Sequence, residues 1–148
     1  MRHVDDGAIT DAANARFRSE YHYAVFEYLR SAKVIAALAR AGVELHGRVL
    51  DCGCGGGGTI VSVGEEVHLA VGLDLSARFR ESGTRLAAEK SVANVRFVQG
   101  DGLTLPFADA SFDIVLSHSV IEHVASAEQY LRECHRVLKP GGLMVLST

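Results

Sequence analysis

The sequence has no tryptophan, two prolines and three cysteines among its 148 residues. It lacks any continuous apolar run near the ~18 residues that a membrane-spanning helix needs, and its acidic start has no apolar core of a secretory signal. Acidic and basic residues are interleaved at a net charge of −3, so no basic stripe predicts nucleic-acid binding. We therefore expect a cytoplasmic protein that has neither a membrane nor a nucleic acid as its partner.

The few cysteines do not predict a metal site. Cys52 and Cys54 flank Gly53, and no second pair is present to complete the four ligands of a structural zinc ion. Cys134 stands on the apolar face of a predicted helix. We predict no bound metal, and three unpaired cysteines are compatible with a reducing compartment.

Glycine, in contrast, is concentrated in one stretch. The apolar run Arg48 to Cys52 has the length of a strand, and Gly53 to Gly58 follow with a single interruption at Cys54. Glycines let the backbone turn sharply and let a ligand approach the main chain without a Cβ in the way. In a parallel sheet such a turn lies at the carboxyl end of a strand, where ligands bind. We therefore predict a ligand pocket at this turn.

The rest of the sequence alternates between helical and extended patterns. Residues 1–18 are polar, and we expect a loose segment or a short helix there. The apolar spacing over 19–41 predicts an amphipathic helix. Tyr21 and Tyr23 near its start are more consistent with packing than with a lid over the pocket. Predicted strands cover 48–52, 68–75, 95–99, 112–117 and 143–146; predicted helices cover 59–66 and 76–90, and a last one begins near residue 126. We expect Ser76 to cap one helix and Ser126 to form a capping box with Gln129. Pro140-Gly141-Gly142 predicts the end of the last helix and a turn. This alternation at this length predicts one α/β domain with a parallel sheet.

Three acids follow three predicted strands. Asp51, Asp74 and Asp101 would all lie at one edge of a parallel sheet, beside the glycine turn. Each alone could be a loop-capping carboxylate. Together they predict a nucleoside ligand, with Asp74 accepting hydrogen bonds from ribose hydroxyls and Asp101 from a purine amine.

The glycine pattern leaves two kinds of nucleoside open. Gly53, Gly55 and Gly58 satisfy the G-x-G-x-x-G fingerprint of dinucleotide-binding enzymes, which is weak by itself. Asp51, two residues before the first glycine, is poorly placed beside an anionic pyrophosphate and better placed for an ammonium group. S-adenosylmethionine has an adenosine, an ammonium group and a sulfonium, and it has no phosphate.

At these motifs the sequence resembles the class I S-adenosylmethionine-dependent methyltransferases, in particular the small-molecule type 11 group. The resemblance covers about 48–147 and lies in Val49-Leu50-Asp51-Cys52-Gly53-Cys54-Gly55-Gly56-Gly57, Val71-Gly72-Leu73-Asp74-Leu75-Ser76, 97–101 with Leu105-Pro106-Phe107, Ser111-Phe112-Asp113-Ile114-Val115, Glu122-His123-Val124 and Arg136-Val137-Leu138-Lys139-Pro140-Gly141-Gly142. It implies a doubly wound, Rossmann-like α/β fold with sheet order 3-2-1-4-5, and methyl transfer to a small-molecule acceptor.

The resemblance also implies cofactor-binding roles for particular residues. They are Asp51 with the Gly53 and Gly55 backbone for the methionine end, Asp74 for the ribose, Leu75 against the adenine, Asp101 and the Gly102 N–H for the adenine edge, and the Ser117 carbonyl near the ammonium group.

Methyl transfer is an in-line displacement, and it needs a base only if the acceptor must lose a proton. His118 is the candidate catalytic base, because it follows the fourth strand and has a suitable ordinary pKa, whereas His123 in Glu122-His123-Val124 is more consistent with a structural role. The Asn/Asp-Pro-Pro-Tyr motif of enzymes that methylate nucleobase amines is absent, and Ser117-His118-Ser119-Val120 stands in its place.

The family fold has two further strands, six and seven, and the sequence ends after the predicted fifth strand. We therefore expect either a C-terminally truncated chain or a homodimer that covers the edge of strand five. Two alternative functions stay open: an NAD(P)-binding oxidoreductase domain, and a catalytically incomplete module that binds a cofactor or another protein.

Overall fold

The computed structural model describes residues 16–148, so most of the predicted lead-in at 1–18 lies outside the described residues. From Glu20 onward the chain alternates between helices and strands in the predicted order. The elements are α1 Glu20–Arg40, β1 Arg48–Cys52, α2 Gly58–Gly64, β2 Leu69–Asp74, α3 Ala77–Glu89, β3 Val95–Gln99, β4 Phe112–His118, α4 Ala127–Val137 and β5 Leu138–Ser147. No helix among the described residues is long and apolar enough to cross a bilayer.

The strands form one sheet in the order β3-β2-β1-β4-β5, and every neighbouring pair is parallel. This confirms the predicted doubly wound topology. Asp51 is paired with Gly72, and Asp74 with Gln99, so the carboxyl ends of β1, β2 and β3 meet at one edge of the sheet. The glycine turn and the segments after β2 and β3 therefore share that edge.

Helices cover both faces of the sheet and make two apolar cores. Residues of β1 alternate between them: Val49 lies in the core with Ile60 and Leu86, and Leu50 lies in the core with Tyr130. The short helix α2 is rich in β-branched residues, and its buried positions show that packing against the sheet and α1 holds it helical.

The predicted start of the fifth strand is wrong. Leu138 is already extended and β5 begins there, because Lys139 precedes a proline and is disfavoured in a helix. Pro140-Gly141-Gly142 does not turn the chain away from the sheet. It forms a bulge inside β5, where the register passes from Phe112↔Leu138 to Ile114↔Leu143.

The caps at the starts of α3 and α4 differ in detail from the predicted ones. The Ser126 hydroxyl accepts a hydrogen bond from the Gln129 N–H at 3.2 Å, but the Gln129 amide donates to the Leu103 carbonyl oxygen at 2.9 Å, so only half of the capping box forms. Ser76 stands at the N-cap of α3, yet its buried hydroxyl has no hydrogen-bond partner among residues 16–148. The Asp74 carboxylate caps this end instead, by accepting from the Ser76 N–H at 3.0 Å.

Candidate functional site

The glycine turn after β1 folds back over the end of β2. Gly53, Gly55 and Gly57 have φ angles of +84°, +53° and +84°, which side-chain-bearing residues rarely adopt. The Leu73 carbonyl oxygen accepts hydrogen bonds from the Gly53 N–H at 2.7 Å and from the Cys54 N–H at 2.9 Å. The turn is therefore fixed to the neighbouring strand.

Two glycines of this stretch are required by a helix rather than by a ligand. A Cβ on Gly58 would lie 2.1 Å from the Ala24 carbonyl oxygen and 2.3 Å from the Tyr28 nitrogen, and a Cβ on Gly56 would lie 2.9 Å from the Ala24 Cα. Helix α1 thus lies directly on the turn. The sequence-based explanation, that the glycines leave space for a ligand, does not account for these two positions.

Asp51 and Asp74 lie together at the turn, but in different surroundings. The Asp74 carboxylate accepts hydrogen bonds from the Gly55 N–H at 2.9 Å and the Ser76 N–H at 3.0 Å. The Asp51 side chain is only 3% exposed. Burial, and secondarily the charge of Asp74, raise the pKa of Asp51 to about 7, and no hydrogen bond from residues 16–148 offsets that burial.

Asp101 and Gly102 follow β3 at the same edge of the sheet. One carboxylate oxygen of Asp101 accepts a hydrogen bond from the Leu103 N–H at 2.8 Å, which is the loop-capping role that the sequence also allowed. A Cβ on Gly102 would meet the Tyr130 ring at 2.8 Å and the Cys52 sulfur at 3.3 Å. Leu75 is 41% exposed beside Asp74.

Ser117 lies in a buried hydrogen-bonded chain below the site. The Tyr130 hydroxyl donates to the Cys52 carbonyl oxygen at 3.2 Å, and it also lies 2.7 Å from the Ser117 Oγ. Because a tyrosine hydroxyl has one hydrogen, Ser117 donates to Tyr130. This chain connects α4 to the ends of β1 and β4, and the sequence analysis did not anticipate it.

His118, the candidate base, ends β4. Its Nδ1 forms a hydrogen bond with the Ser147 Oγ at 2.8 Å, and its Nε2 is buried without a partner in the part of the chain that the structure describes. Burial lowers the pKa of His118, which favours the neutral ring. Strand alternation places its side chain on the same face as Ile114 and Leu116, the face that α1 covers.

Sequence reasoning missed Glu27 of α1. Its Oε2 lies 3.4 Å from the Gly58 N–H, and its Oε1 would lie 3.2 Å from a Cβ on Gly55. Burial, followed by the charge of Asp51, raises the pKa of Glu27 to about 8, although the Tyr23 hydroxyl and the Gly58 N–H oppose that rise. The available signal was the spacing of Glu27 from Ala24, which places an acid on the buried face of the helix.

The two tyrosines near the start of α1 differ in position. The Tyr21 hydroxyl donates to the Glu89 carboxylate, and Arg85 lies 3.9 Å from the Tyr21 ring centroid, so this side chain packs α1 against α3. Tyr23 packs against Phe79 at a centroid distance of 5.9 Å, and it also borders the glycine turn. The prediction of packing thus describes Tyr21 fully and Tyr23 only in part.

The chain is similar to known methyltransferases over most of its length. Residues 50–146 match the family described as "Methyltransferase domain". The uncharacterized methyltransferase YcgJ of Bacillus subtilis is 39% identical over 99 residues, which are 67% of this chain and 39% of YcgJ. A ubiquinone biosynthesis O-methyltransferase of Cereibacter sphaeroides is 41% identical over 104 residues, which are 68% of this chain and 40% of that enzyme.

Solved structures agree with the fold. The crystal structure of the Bacillus subtilis YcgJ protein superposes with a TM-score of 0.67 at 36% identity, and it covers 73% of this chain and 47% of that one. In sequence, the chain spans about two fifths of the length of YcgJ and of the ubiquinone biosynthesis O-methyltransferase.

Proposed function

We propose that this chain, which belongs to the methyltransferase domain family, binds S-adenosylmethionine at the glycine turn and transfers its methyl group to a small organic molecule. The observation that carries the proposal is Asp51, a carboxyl group that is almost fully buried beside the turn and that accepts no hydrogen bond from the part of the chain that the structure describes. A buried acid of this kind is stabilised by a cationic partner. The chain would form one cofactor-binding domain from the α1 helix and the 48–148 core.

The residues at the turn fit this cofactor better than a dinucleotide. Asp51, Asp74 and Glu27 make the site acidic, which opposes a pyrophosphate and favours an ammonium group. When it is bound, S-adenosylmethionine supplies a methyl carbon already activated by the sulfonium, so the protein mainly has to align the acceptor.

We propose for the other cofactor contacts the residues that the resemblance implies at this edge of the sheet. Asp74 would accept hydrogen bonds from the ribose hydroxyls, since an ionised carboxylate is an acceptor only, and the Gly55 and Ser76 N–H groups hold it at the turn. Leu75 would lie against the adenine, with Asp101 and the Gly102 N–H at its polar edge. The Ser117 carbonyl would lie near the ammonium group.

We propose His118 as a general base for acceptors that must lose a proton. The hydrogen bond between Nδ1 and Ser147 fixes the ring, and a base at Nε2 requires the tautomer in which the Nδ1–H donates to the Ser147 Oγ. Because burial lowers the pKa of His118, the ring is neutral near pH 7, which is the form that a base requires. The supporting observation is the unpartnered Nε2.

Titration calorimetry of the chain with S-adenosylhomocysteine and, separately, with NAD tests the cofactor. Tighter binding of S-adenosylhomocysteine than of NAD supports the proposal, and tighter binding of NAD would favour an oxidoreductase. Transfer of a labelled methyl group to a panel of small phenols, acids and amines then tests turnover. Binding without any transfer would support the catalytically incomplete module.

The predicted homodimer would cover the edge at β5, the last strand in the sheet order. Leu143 and Leu146 are each 42% exposed on this strand, which supports an apolar contact there. Light scattering on the purified chain, compared with a variant that carries lysine at both positions, tests this contact. The cytoplasmic location stays a prediction, supported by the free thiols of Cys52, Cys54 and Cys134.

A further inference from the structure

Glu27 brings a second carboxyl group to the ligand pocket from an element outside the sheet. Its Oε1 and Oε2 would lie 3.2 Å from a Cβ on Gly55 and 3.0 Å from a Cβ on Gly56, so the carboxyl rests on the turn itself. Among the described residues, the carboxyl accepts a long hydrogen bond from the Gly58 N–H at 3.4 Å and also hydrogen-bonds with the Tyr23 hydroxyl, which fills only part of its acceptor capacity. The carboxyl therefore has acceptor capacity left at the turn.

Asp51 points toward the same region. Strand alternation gives Asp51 the face of Val49, which is the face that α1 covers. Asp51 is buried, with 3% of the residue exposed, and its carboxyl accepts no hydrogen bond from the described residues. Two carboxyl groups on adjacent elements thus share a pocket that lacks a protein donor for one of them.

Among residues 16–148, no cation compensates the charge of this pair. Asp74 of β2 adds further negative charge. Tyr23 of α1 and Cys54 of the turn are neutral near pH 7, because burial raises the pKa of each, and α2 has no titratable side chain. The two nearby arginines interact with other residues. The charge of Arg30 in α1 lowers the pKa of Tyr23, and the Arg78 guanidinium of α3 lies 3.7 Å from the Glu20 carboxylate.

We propose that Glu27 and Asp51 together bind the ammonium group of the cofactor, and that this binding releases a proton from the pair to the solvent. The inference rests on the proposed function and identifies a further binding residue for it. Two neighbouring buried carboxyl groups do not both ionise without a cation, so the free protein holds a proton there near neutral pH. An ammonium group supplies that cation, and both carboxylates then accept its hydrogen bonds.

Calorimetry in two buffers of different ionisation enthalpy counts the protons released per ligand bound. With S-adenosylhomocysteine at about pH 7, we expect the original chain to release on the order of one proton, and its affinity to rise up to about tenfold per pH unit between about pH 6 and 7. Glu27→Gln should release far less and bind about tenfold or more weakly. Methylthioadenosine, which has no ammonium group, should release none from either chain.

Glu65→Gln is the matched control. Glu65 accepts a hydrogen bond from the Tyr28 hydroxyl of α1 at 2.7 Å, so it is an acid beside the same helix but away from the turn. This variant should keep the affinity and the proton release of the original chain. Equal proton release by Glu27→Gln, or tighter binding by it, would overturn the inference and leave the proposed function intact. Failure of S-adenosylhomocysteine to bind the original chain would instead overturn both. If Glu27→Gln does not fold, a pH-independent affinity in the original chain would overturn the inference by itself.

Discussion

The Asp74 carboxylate accepts a hydrogen bond from the Gly55 N–H at 2.9 Å, and this contact connects the end of β2 to the middle of the glycine turn. The other carboxylate oxygen accepts from the Ser76 N–H at 3.0 Å, at the start of α3. One side chain thus fixes the relative positions of two segments that would border the cofactor. A residue that shapes the pocket and also binds the ribose should be sensitive to truncation.

We predict that Asp74→Ala weakens the binding of S-adenosylhomocysteine by about 1–3 kcal/mol, or about 5- to 150-fold, because it removes the acceptor of the ribose hydroxyls and of the Gly55 N–H. Titration calorimetry measures this loss. Asp74→Asn keeps one acceptor oxygen, and we expect an intermediate affinity. Unchanged affinity in a folded Asp74→Ala variant would contradict the ribose role.

Gly58→Ala tests the contact between α1 and the turn. In an open helix this change is favourable by up to about 1 kcal/mol. Here the new Cβ would meet the Ala24 carbonyl oxygen at 2.1 Å and the Tyr28 nitrogen at 2.3 Å, both of them backbone atoms, so α1 would have to shift. We predict a loss of about 1–3 kcal/mol in the free energy of unfolding, measured with urea, together with weaker cofactor binding.

Gly100→Ala is the control for that variant. Its Cβ would lie 3.0 Å from the Leu73 Cδ1 and 3.4 Å from the Pro106 Cδ, and a Leu side chain can move at small cost. We expect it to change the free energy of unfolding by less than about 1 kcal/mol. Similar stability of the two variants would show that α1 adapts to the turn.

The strands of this fold were predictable because their patterns are local. The bounds of β1 and β3 agree with the prediction, the alternation of strands and helices predicted a parallel sheet, and the family resemblance implied the strand order that the sheet has. The start of β5 was not predictable in the same way, because Pro140-Gly141-Gly142 has the composition of a turn whether it leaves the sheet or bulges within it. Only the pairing with β4 decides between these two structures.

The residues of the candidate site were predictable only where strand topology places them. Asp51 and Asp74 follow strands, so their placement at one edge could be predicted from topology. Glu27 comes from a helix that precedes the sheet, and its arrival at the turn depends on how α1 packs against Gly56 and Gly58. Such tertiary packing leaves no spacing signal between the two segments.

The Tyr130 hydroxyl gives a test of the buried chain below the site. Tyr130→Phe removes the donor to the Cys52 carbonyl oxygen and the acceptor of the Ser117 hydroxyl, and both of these hydrogen bonds are buried. We therefore predict a loss of about 1–3 kcal/mol in the free energy of unfolding. Ser117→Ala should cost less. Because the two hydroxyls share a hydrogen bond, the double variant should lose less than the sum, with a coupling of about 0.5–3 kcal/mol in urea denaturation. Additive losses would contradict a direct contact.

The acids at the turn also predict how the stability of the free chain depends on pH. The pKa of Glu27 is raised from 4.5 to about 8, and that of Asp51 from 3.8 to about 7, so in this range the folded chain keeps protons that the unfolded chain has released. By linkage the free energy of unfolding then falls as pH rises through the window from about 4 to 8. His118, whose pKa is lowered from 6.5 by burial, opposes this fall in the lower part of the window, and Asp113, whose pKa is lowered by its hydrogen bond with Lys139, opposes it only below the window.

Glu27→Gln removes one of these two acids. We predict that this variant melts at nearly the same temperature as the original chain near pH 5, and several degrees higher near pH 8. Each kcal/mol gained in the free energy of unfolding raises the melting temperature by about 2–4 °C. Thermal melts without ligand, followed by circular dichroism across this range, measure the difference. Glu65→Gln, which removes an acid outside the pocket, is the control for the loss of a carboxyl group beside α1. A gap between Glu27→Gln and the original chain that stays constant with pH would contradict a raised pKa of Glu27 in the free protein.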